Sequence, residues 1–164
     1  MKIHGTVIYT EMQSPLGRMT LAATERGLTG IWFEQQRHSP DMTTWQRNDT
    51  NATLLAAKQQ LSEYFSGTRS EFDLPLDLSH GTNFQQAVWN ALLNVPRGTT
   101  TSYGAISKQC GRATAVRAVG GAVGRNPLSI VVPCHRVVGR DGSLTGYAGG
   151  LERKVSLLKL EGAI

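Results

Sequence analysis

Ser129-Ile130-Val131-Val132-Pro133-Cys134-His135-Arg136 is the stretch from which the rest of the chain can be placed. The β-branched apolar run reads as a short buried strand. Pro133 lacks a backbone donor and ends strand pairing, so the run is expected to leave its sheet just before Cys134 and present the thiol at a strand end. A thiolate is the strongest nucleophile among the side chains, and a neighbouring histidine can take its proton near neutral pH. Adjacent residues on a regular strand point to opposite faces, so Cys134 and His135 meet only through a turn or a bridging water. The same cysteine also fits a plain core position, since unpaired cysteines behave as small buried hydrophobes. The pair alone leaves both readings open.

Beyond the cysteine, Val137 and Val138 lead into Gly139-Arg140-Asp141-Gly142, whose Asp-Gly predicts a hairpin with Leu144 on the returning strand. Gly146-Tyr147-Ala148-Gly149-Gly150 is too rich in glycine for regular structure and suits a loop whose amides face a flat ligand. A last helix is expected with Leu151, Val155 and Leu158 on its buried face, delivering Glu161 just before Gly162. Upstream, Thr82 and Gln85 form a capping box that opens a helix carrying Phe84, Val88, Leu92 and Val95 and stopped by Pro96. Trp89 on that helix reads as core. A short helix from Tyr103 to Gly111 and a second from Ala113 to Val123 make a helix-turn-helix candidate. Ala115, Ala118, Gly120, Gly121 and Ala122 leave the second helix nearly without bulk, which fits either tight core packing or close approach to a partner, with Arg117 projecting from it.

The first half has a different texture. Residues 6 to 33 read as a β-meander punctuated at Ser14-Pro15-Leu16-Gly17 and Glu25-Arg26-Gly27, with Met19, Leu21 and Ala23 alternating against Arg18, Thr20 and Ala22. Residues 34 to 50 are polar and aperiodic and read as a surface loop. Leu54, Leu61 and Phe65 share a helical face, with Gly67 as the stop. Phe72, Leu74, Leu76 and Leu78 alternate in a strand or extended connector broken by Pro75, and Ser79-His80-Gly81 is the expected boundary. The fold class is therefore α+β, with a small β-meander and helix domain over residues 1–80. A second domain over residues 81–164 carries the helix-turn-helix, the candidate wing and the cysteine.

Charge divides at the same boundary. Residues 1–80 hold 7 basic and 9 acidic side chains, net −2, whereas residues 81–164 hold 10 basic and 3 acidic, net +7. Seven of those ten cations are arginine, the better phosphate binder, and this one-sided excess points to a polyanionic partner. With 40% hydrophobic and 18% charged residues the chain reads as soluble and globular. No apolar run approaches the roughly 20 residues of a membrane helix, and Met1-Lys2-Ile3-His4 does not begin a signal peptide, so a cytoplasmic location with no membrane partner is expected. The two cysteines, Cys110 and Cys134, form no disulfide framework, and His4, His38, His80 and His135 are too scattered for a ligand set, so no metal is expected.

Around Pro133-Cys134-His135-Arg136 the sequence resembles the O6-alkylguanine-DNA alkyltransferases, single-use repair proteins that move an alkyl group from guanine O6 to their own cysteine. The likeness runs through Phe84-Gln85, Val88-Trp89, Ser102-Tyr103-Gly104, Arg117 to Ala122, Asn126-Pro127, Ile130 to Val137, Gly146 to Gly150 and Leu157 to Gly162. It implies a winged helix-turn-helix fold for residues 81–164, no cofactor, and a monomer acting on double-stranded DNA that contains O6-alkylguanine, with thymine O4 as a second candidate position. It further implies Cys134 as acceptor, His135 as base acting through a water, and Glu161 as the group orienting the imidazole. By the same resemblance Tyr103 supplies a hydroxyl beside a flipped base and the carbonyls of Cys134 and Val137 read its exocyclic amine. Tyr147 and Ala148 line the base, with the Ala148 amide near O6. Asn126 ties the recognition-helix turn to the cysteine loop, and Arg117 fills the space the nucleotide leaves. Many family members carry serine where Ala148 stands, so a hydroxyl is missing here. Some hold zinc in the N-terminal region, but this chain has no cysteine before Cys110. Two alternatives remain: a non-turnover lesion-binding DNA protein, against which Cys134 itself argues, and a cysteine hydrolase, which leaves the arginine-bearing helix unexplained.

Overall fold

The computed structural model describes residues 2–164, which fall into two compact units, Met1–His80 and Gly81–Ile164. In the first, β1 (Ile8–Ser14), β2 (Gly17–Thr24) and β3 (Gly27–Phe33) form the antiparallel meander, and β4 (Gln46–Arg47) adds in parallel to β1, giving the order β3-β2-β1-β4. The strands turn at Pro15-Leu16 and Glu25-Arg26, where the registers Ser14↔Gly17 and Thr24↔Gly27 leave two-residue loops. Gly27 adopts φ +148°, and a Cβ there would stand 2.5 Å from the Pro75 carbonyl oxygen, so both conformation and space require glycine. Residues 72–78 form an extended connector with a single bridge, Leu28↔Leu76. Pro75 contributes only its carbonyl, accepting from the Leu28 amide at 2.8 Å, while the Asp77 amide donates to Leu28 at 2.8 Å.

Helix α1 (Ala52–Phe65) is capped by Asn51, whose side chain accepts from the Leu54 amide, and buries Leu54, Ala57, Leu61 and Tyr64. The polar stretch after β3 is more than a surface loop. Met42 and Trp45 pack on Val7, Ala22 and Trp32, with the rings of Trp32 and Trp45 5.6 Å apart, so the meander is covered on its second face as well. Two apolar residues three positions apart are too few to set a period, and their burial depends on the outward side of β2 and β3.

The second unit contains α2 (Asn83–Leu92), β5 (Thr101–Ser102), α3 (Tyr103–Gln109), α4 (Val116–Gly124), β6 (Val137–Val138) and α5 (Leu151–Leu160). The capping box closes with both bonds, Gln85 amide to Thr82 hydroxyl and Thr82 amide to Gln85 side chain. Trp89 is fully buried and its indole donates to the Ala122 carbonyl at 2.9 Å, fixing α2 against α4. Truncating it to alanine would cost about 3–5 kcal/mol. Helix α4 begins at Val116 rather than Ala113, because residues 112–115 form a turn closed by the Ala115 amide and the Arg112 carbonyl. Its outward residues are Val116, Arg117, Ala118 and Gly121; an added Cβ at Gly121 would meet nothing within 4 Å.

The expected wing differs. Val138 and Val137 pair in parallel with Ser102 and Thr101, and Gly139 to Ser143 close a tight turn, but no strand returns through Leu144. The ladder acceptors go elsewhere, since the carbonyls of Val137 and Thr145 both receive the ammonium of Lys154. Helix α5 is also rotated from expectation: Leu151 is 48% exposed, while Lys154, Leu157 and Leu158 face inward. Among the described residues no helix is long and apolar enough to cross a membrane.

Candidate active site

The stretch before the cysteine is folded by side-chain hydrogen bonds, and the strand expected there is absent. The Asn126 carbonyl oxygen accepts from the Leu128 amide at 3.0 Å and its amide donates to the Val132 carbonyl at 2.8 Å, so Val132 needs no ladder partner. Inside this bracket the Val131 amide returns to the Ser129 carbonyl at 2.9 Å, which puts Ile130 at φ +74°, a conformation β-branched residues rarely take. Pro133 centres a second three-residue turn, φ −82° and ψ 62°, closed by the Cys134 amide and the Val132 carbonyl at 2.8 Å. Cys134-His135-Arg136 then form one turn of 3-10 helix. Its tight winding, with the Val137 amide donating to the Cys134 carbonyl, replaces the opposite-face geometry of a strand.

All three side chains of that turn are buried, Cys134 at 6% exposure, His135 at 0% and Arg136 at 7%. His135 Nε2 lies 2.8 Å from Glu161 Oε2. A carboxylate accepts only, so Nε2 carries the proton and Nδ1 presents a lone pair, and Nδ1 is buried with no hydrogen-bond partner. Glu161 also accepts from Arg136, Oε1 from Nε at 2.8 Å and Oε2 from Nη2 at 2.9 Å, while Arg136 Nη1 donates to the Val95 carbonyl at 2.6 Å. The two-pronged contact holds the carboxylate in one orientation. Burial pushes the His135 pKa down, and the bond and charge of Glu161 pull it partly back, leaving a neutral imidazole as the resting form. Burial likewise raises the Cys134 thiol, against which the Asn126 side chain and the charge of Lys154 act.

Lys154 and Glu161 lie seven residues apart, two turns along the same inward face of α5. Sequence reasoning missed Lys154 and the second tie of Arg136 to Glu161. A lysine three and four residues before Leu157 and Leu158 was the available signal, since it shares their face. Tyr103, the first residue of α3, places its hydroxyl 2.9 Å from Thr145 Oγ1, and the loop after Thr145 carries Tyr147 and Ala148, closed by the Gly150 amide and the Tyr147 carbonyl at 2.9 Å. Cys134, His135, Asn126, Val137 and Glu161 are thus drawn into one bonded cluster, with Lys154 reaching it through Val137. Tyr103, Tyr147 and Ala148 attach to the Thr145 side, and Arg117 stands apart on the exposed face of α4. Such a cluster can deprotonate a buried thiol and hold the resulting imidazolium, without any metal ligand set among the described residues.

The chain matches the model of the 6-O-methylguanine DNA methyltransferase DNA binding domain over residues 83–163 and that of the ribonuclease-like domain of the same proteins over residues 7–78. It is 48% identical to the methylated-DNA--protein-cysteine methyltransferase of Mycolicibacterium paratuberculosis, covering 93% of this chain and 91% of that one. The Methanosarcina acetivorans protein of the same name is 45% identical, over 94% and 98% of the two chains. The structure superposes on the crystal structure of Mycobacterium tuberculosis OGT in complex with DNA with a TM-score of 0.88 at 47% identity, covering 95% and 93%. For the O6-methylguanine-DNA methyltransferase of Pyrococcus kodakaraensis the TM-score is 0.65 at 27% identity, covering 96% and 99%. With both halves matched and the Cys134-His135-Glu161 cluster assembled, the chain belongs to the 6-O-methylguanine DNA methyltransferase family.

Proposed function

We propose that this protein repairs double-stranded DNA by a single irreversible transfer of an alkyl group from guanine O6, or from thymine O4, to Cys134. The observation that carries the reading is the buried Nδ1 of His135, left without a partner on the residue next to Cys134 in the chain and with Nε2 anchored on Glu161. Through one water, Nδ1 takes the thiol proton; the sulfur attacks the alkyl carbon, the carbon–oxygen bond breaks, and the electron pair leaves on the base. Tyr103 and the Ala148 amide donate to the departing base, which takes up a proton. The product is a thioether that water does not cleave, so each molecule acts once.

In this reading the carbonyls of Val137 and Cys134 accept from the exocyclic amine of guanine, Tyr147 lines the base, and Asn126 keeps the cysteine loop in its bracketed turns. A base within a duplex hides O6, so the nucleotide is extruded at a cost of a few kcal/mol, and Arg117 enters the space it leaves. The excess of arginine in residues 81–164 supplies the attraction to phosphates, and the small outward residues Ala118 and Gly121 of α4 permit close approach. No cofactor is needed because the damaged base is the alkyl donor. A monomer suffices, because every residue with an assigned role lies on one chain, and a cytoplasmic location suits a protein that needs a free thiol.

Incubation with O6-methylguanine DNA is expected to add one methyl group, a gain of about 14 Da, to the peptide containing Cys134 and to leave Cys110 unmodified. Methylation of Cys110, or turnover well beyond one equivalent of DNA, overturns the reading.

A further inference from the structure

We propose that Lys154 is a positioning residue for base recognition: its ammonium joins the two ends of the segment Val137–Thr145 and so sets both the Val137 carbonyl and, through Thr145, the Tyr103 hydroxyl. The inference rests on the reading of Val137 and Tyr103 as base-contacting groups. Nζ donates to the Val137 carbonyl at 2.6 Å and to the Thr145 carbonyl at 3.1 Å. Thr145 Oγ1 in turn lies 2.9 Å from the Tyr103 hydroxyl. One side chain from α5 therefore links two groups that come from different parts of the unit.

A hairpin would lock its two arms by ladder hydrogen bonds, but no returning strand forms here, and beyond the Gly139–Ser143 turn Lys154 ties the two ends together. The lysine is 0% exposed and both of its recorded hydrogen bonds go to carbonyls rather than to a carboxylate. A buried ammonium without a carboxylate partner is costly: desolvation pushes its pKa down, and the charge of an ionised Cys134 acts against this. Beside Leu157 and Leu158, a methionine would fill the same space without that cost, so packing alone gives no reason for the charge. A carbonyl oxygen has two lone pairs, so a Val137 oxygen held by Nζ still has one to offer an incoming amine. The lysine bond both aims that lone pair and fixes its distance from Cys134, three residues earlier in the chain.

The test uses the full chain and single-stranded oligonucleotides, so that base pairing does not contribute. The two substrates are O6-methylguanine and O6-methylhypoxanthine, the same ring system without the 2-amino group. The unaltered protein is expected to alkylate Cys134 faster with the guanine substrate, by about tenfold for each of the two hydrogen bonds that the amine gives to Val137 and Cys134. Lys154→Met is expected to lower that ratio about tenfold, leaving the Cys134 contact, and Lys154→Arg, which keeps the donors, to restore part of it. A loss of rate with the ratio intact overturns the inference, because it would make Lys154 a structural or general electrostatic group. Should Lys154→Met fail to fold, Lys154→Gln keeps a shorter donor, and the same ratio decides. If the unaltered protein alkylates Cys134 equally with both bases, the assignment of Val137 fails and the inference falls with it, while the alkyl-transfer reading stands.

Discussion

Replacing Glu161 by glutamine takes one charge and one acceptor from a carboxylate that receives His135 Nε2, Arg136 Nε and Arg136 Nη2. His135 and Nη2 meet at Oε2, whereas Nε bonds to Oε1. The amide will therefore place its oxygen at the Oε2 position and set its NH2 against the single donor Nε. That arrangement keeps the histidine tautomer, with the proton on Nε2 and the lone pair on Nδ1, but leaves a buried guanidinium without its full counter-charge. Breaking a buried pair costs about 3–5 kcal/mol; with two contacts kept, about 3 kcal/mol of stability should be lost. Folding is not left untouched, as it would be if Glu161 served only the imidazole. The transfer rate suffers separately, because the imidazolium formed when the thiol ionises loses its anion. By analogy with groups that orient metal-bound histidines, whose loss costs about 10- to 100-fold, the barrier is expected to rise by about 1.4–2.8 kcal/mol. Urea unfolding gives the first quantity, and quenched single-turnover alkylation at pH 7 with saturating O6-methylguanine DNA gives the second. A folded Glu161→Gln protein that transfers at the parental rate would refute the assignment of Glu161 to the proton path. A rate loss with unchanged stability would refute the account of Arg136.

Two further outcomes are expected. Burial would raise the Asp77 carboxyl, but hydrogen bonds from the Ser79 hydroxyl and amide and from Thr24, with His80 beside it, outweigh this and hold it at about 2. A depressed folded pKa stabilises fully above the unfolded value, near 3.8, and the contribution of about 2 kcal/mol disappears as the pH falls through 2. Asp77→Asn should accordingly flatten the decline of urea stability between pH 5 and 2, and parallel decline in both proteins would count against this cluster. Arg117→Ala should slow repair of duplex DNA more than repair of the same lesion in a single strand, while free O6-alkylguanine reacts nearly as before, since unpaired bases cost less to extrude. Equal losses on all three substrates would identify a damaged fold or pocket instead.

Local signals were legible because they act over a few residues. The alternation of Met19, Leu21 and Ala23, the two-residue turns and the Thr82–Gln85 box each concern atoms within one strand, loop or helical turn, and each forms as the residues suggest. The Cys134-His135 pair was readable for the same reason, whereas Asn126 came only from the resemblance that spans the second half of the chain. The run Ser129 to Val132 misled, since its composition suits a strand but its carbonyls and amides are satisfied within the loop and by Asn126. Met42 and Trp45 gave no period to follow, and their burial depends on a sheet face made by residues at least ten positions earlier.

By itself the sequence determined the α+β order of elements, the charge contrast between the halves, and the cysteine–histidine pair proposed as nucleophile and base. Only the tertiary structure decided that Lys154 is buried, that Arg136 and His135 share one carboxylate, and that His135 Nδ1 is left without a partner. The reason is physical: whether an ionisable side chain can be buried depends on acceptors brought to it from elsewhere, here Val137 and Thr145 for the lysine and Glu161 for the histidine. No pattern of neighbouring residues specifies where those acceptors will stand.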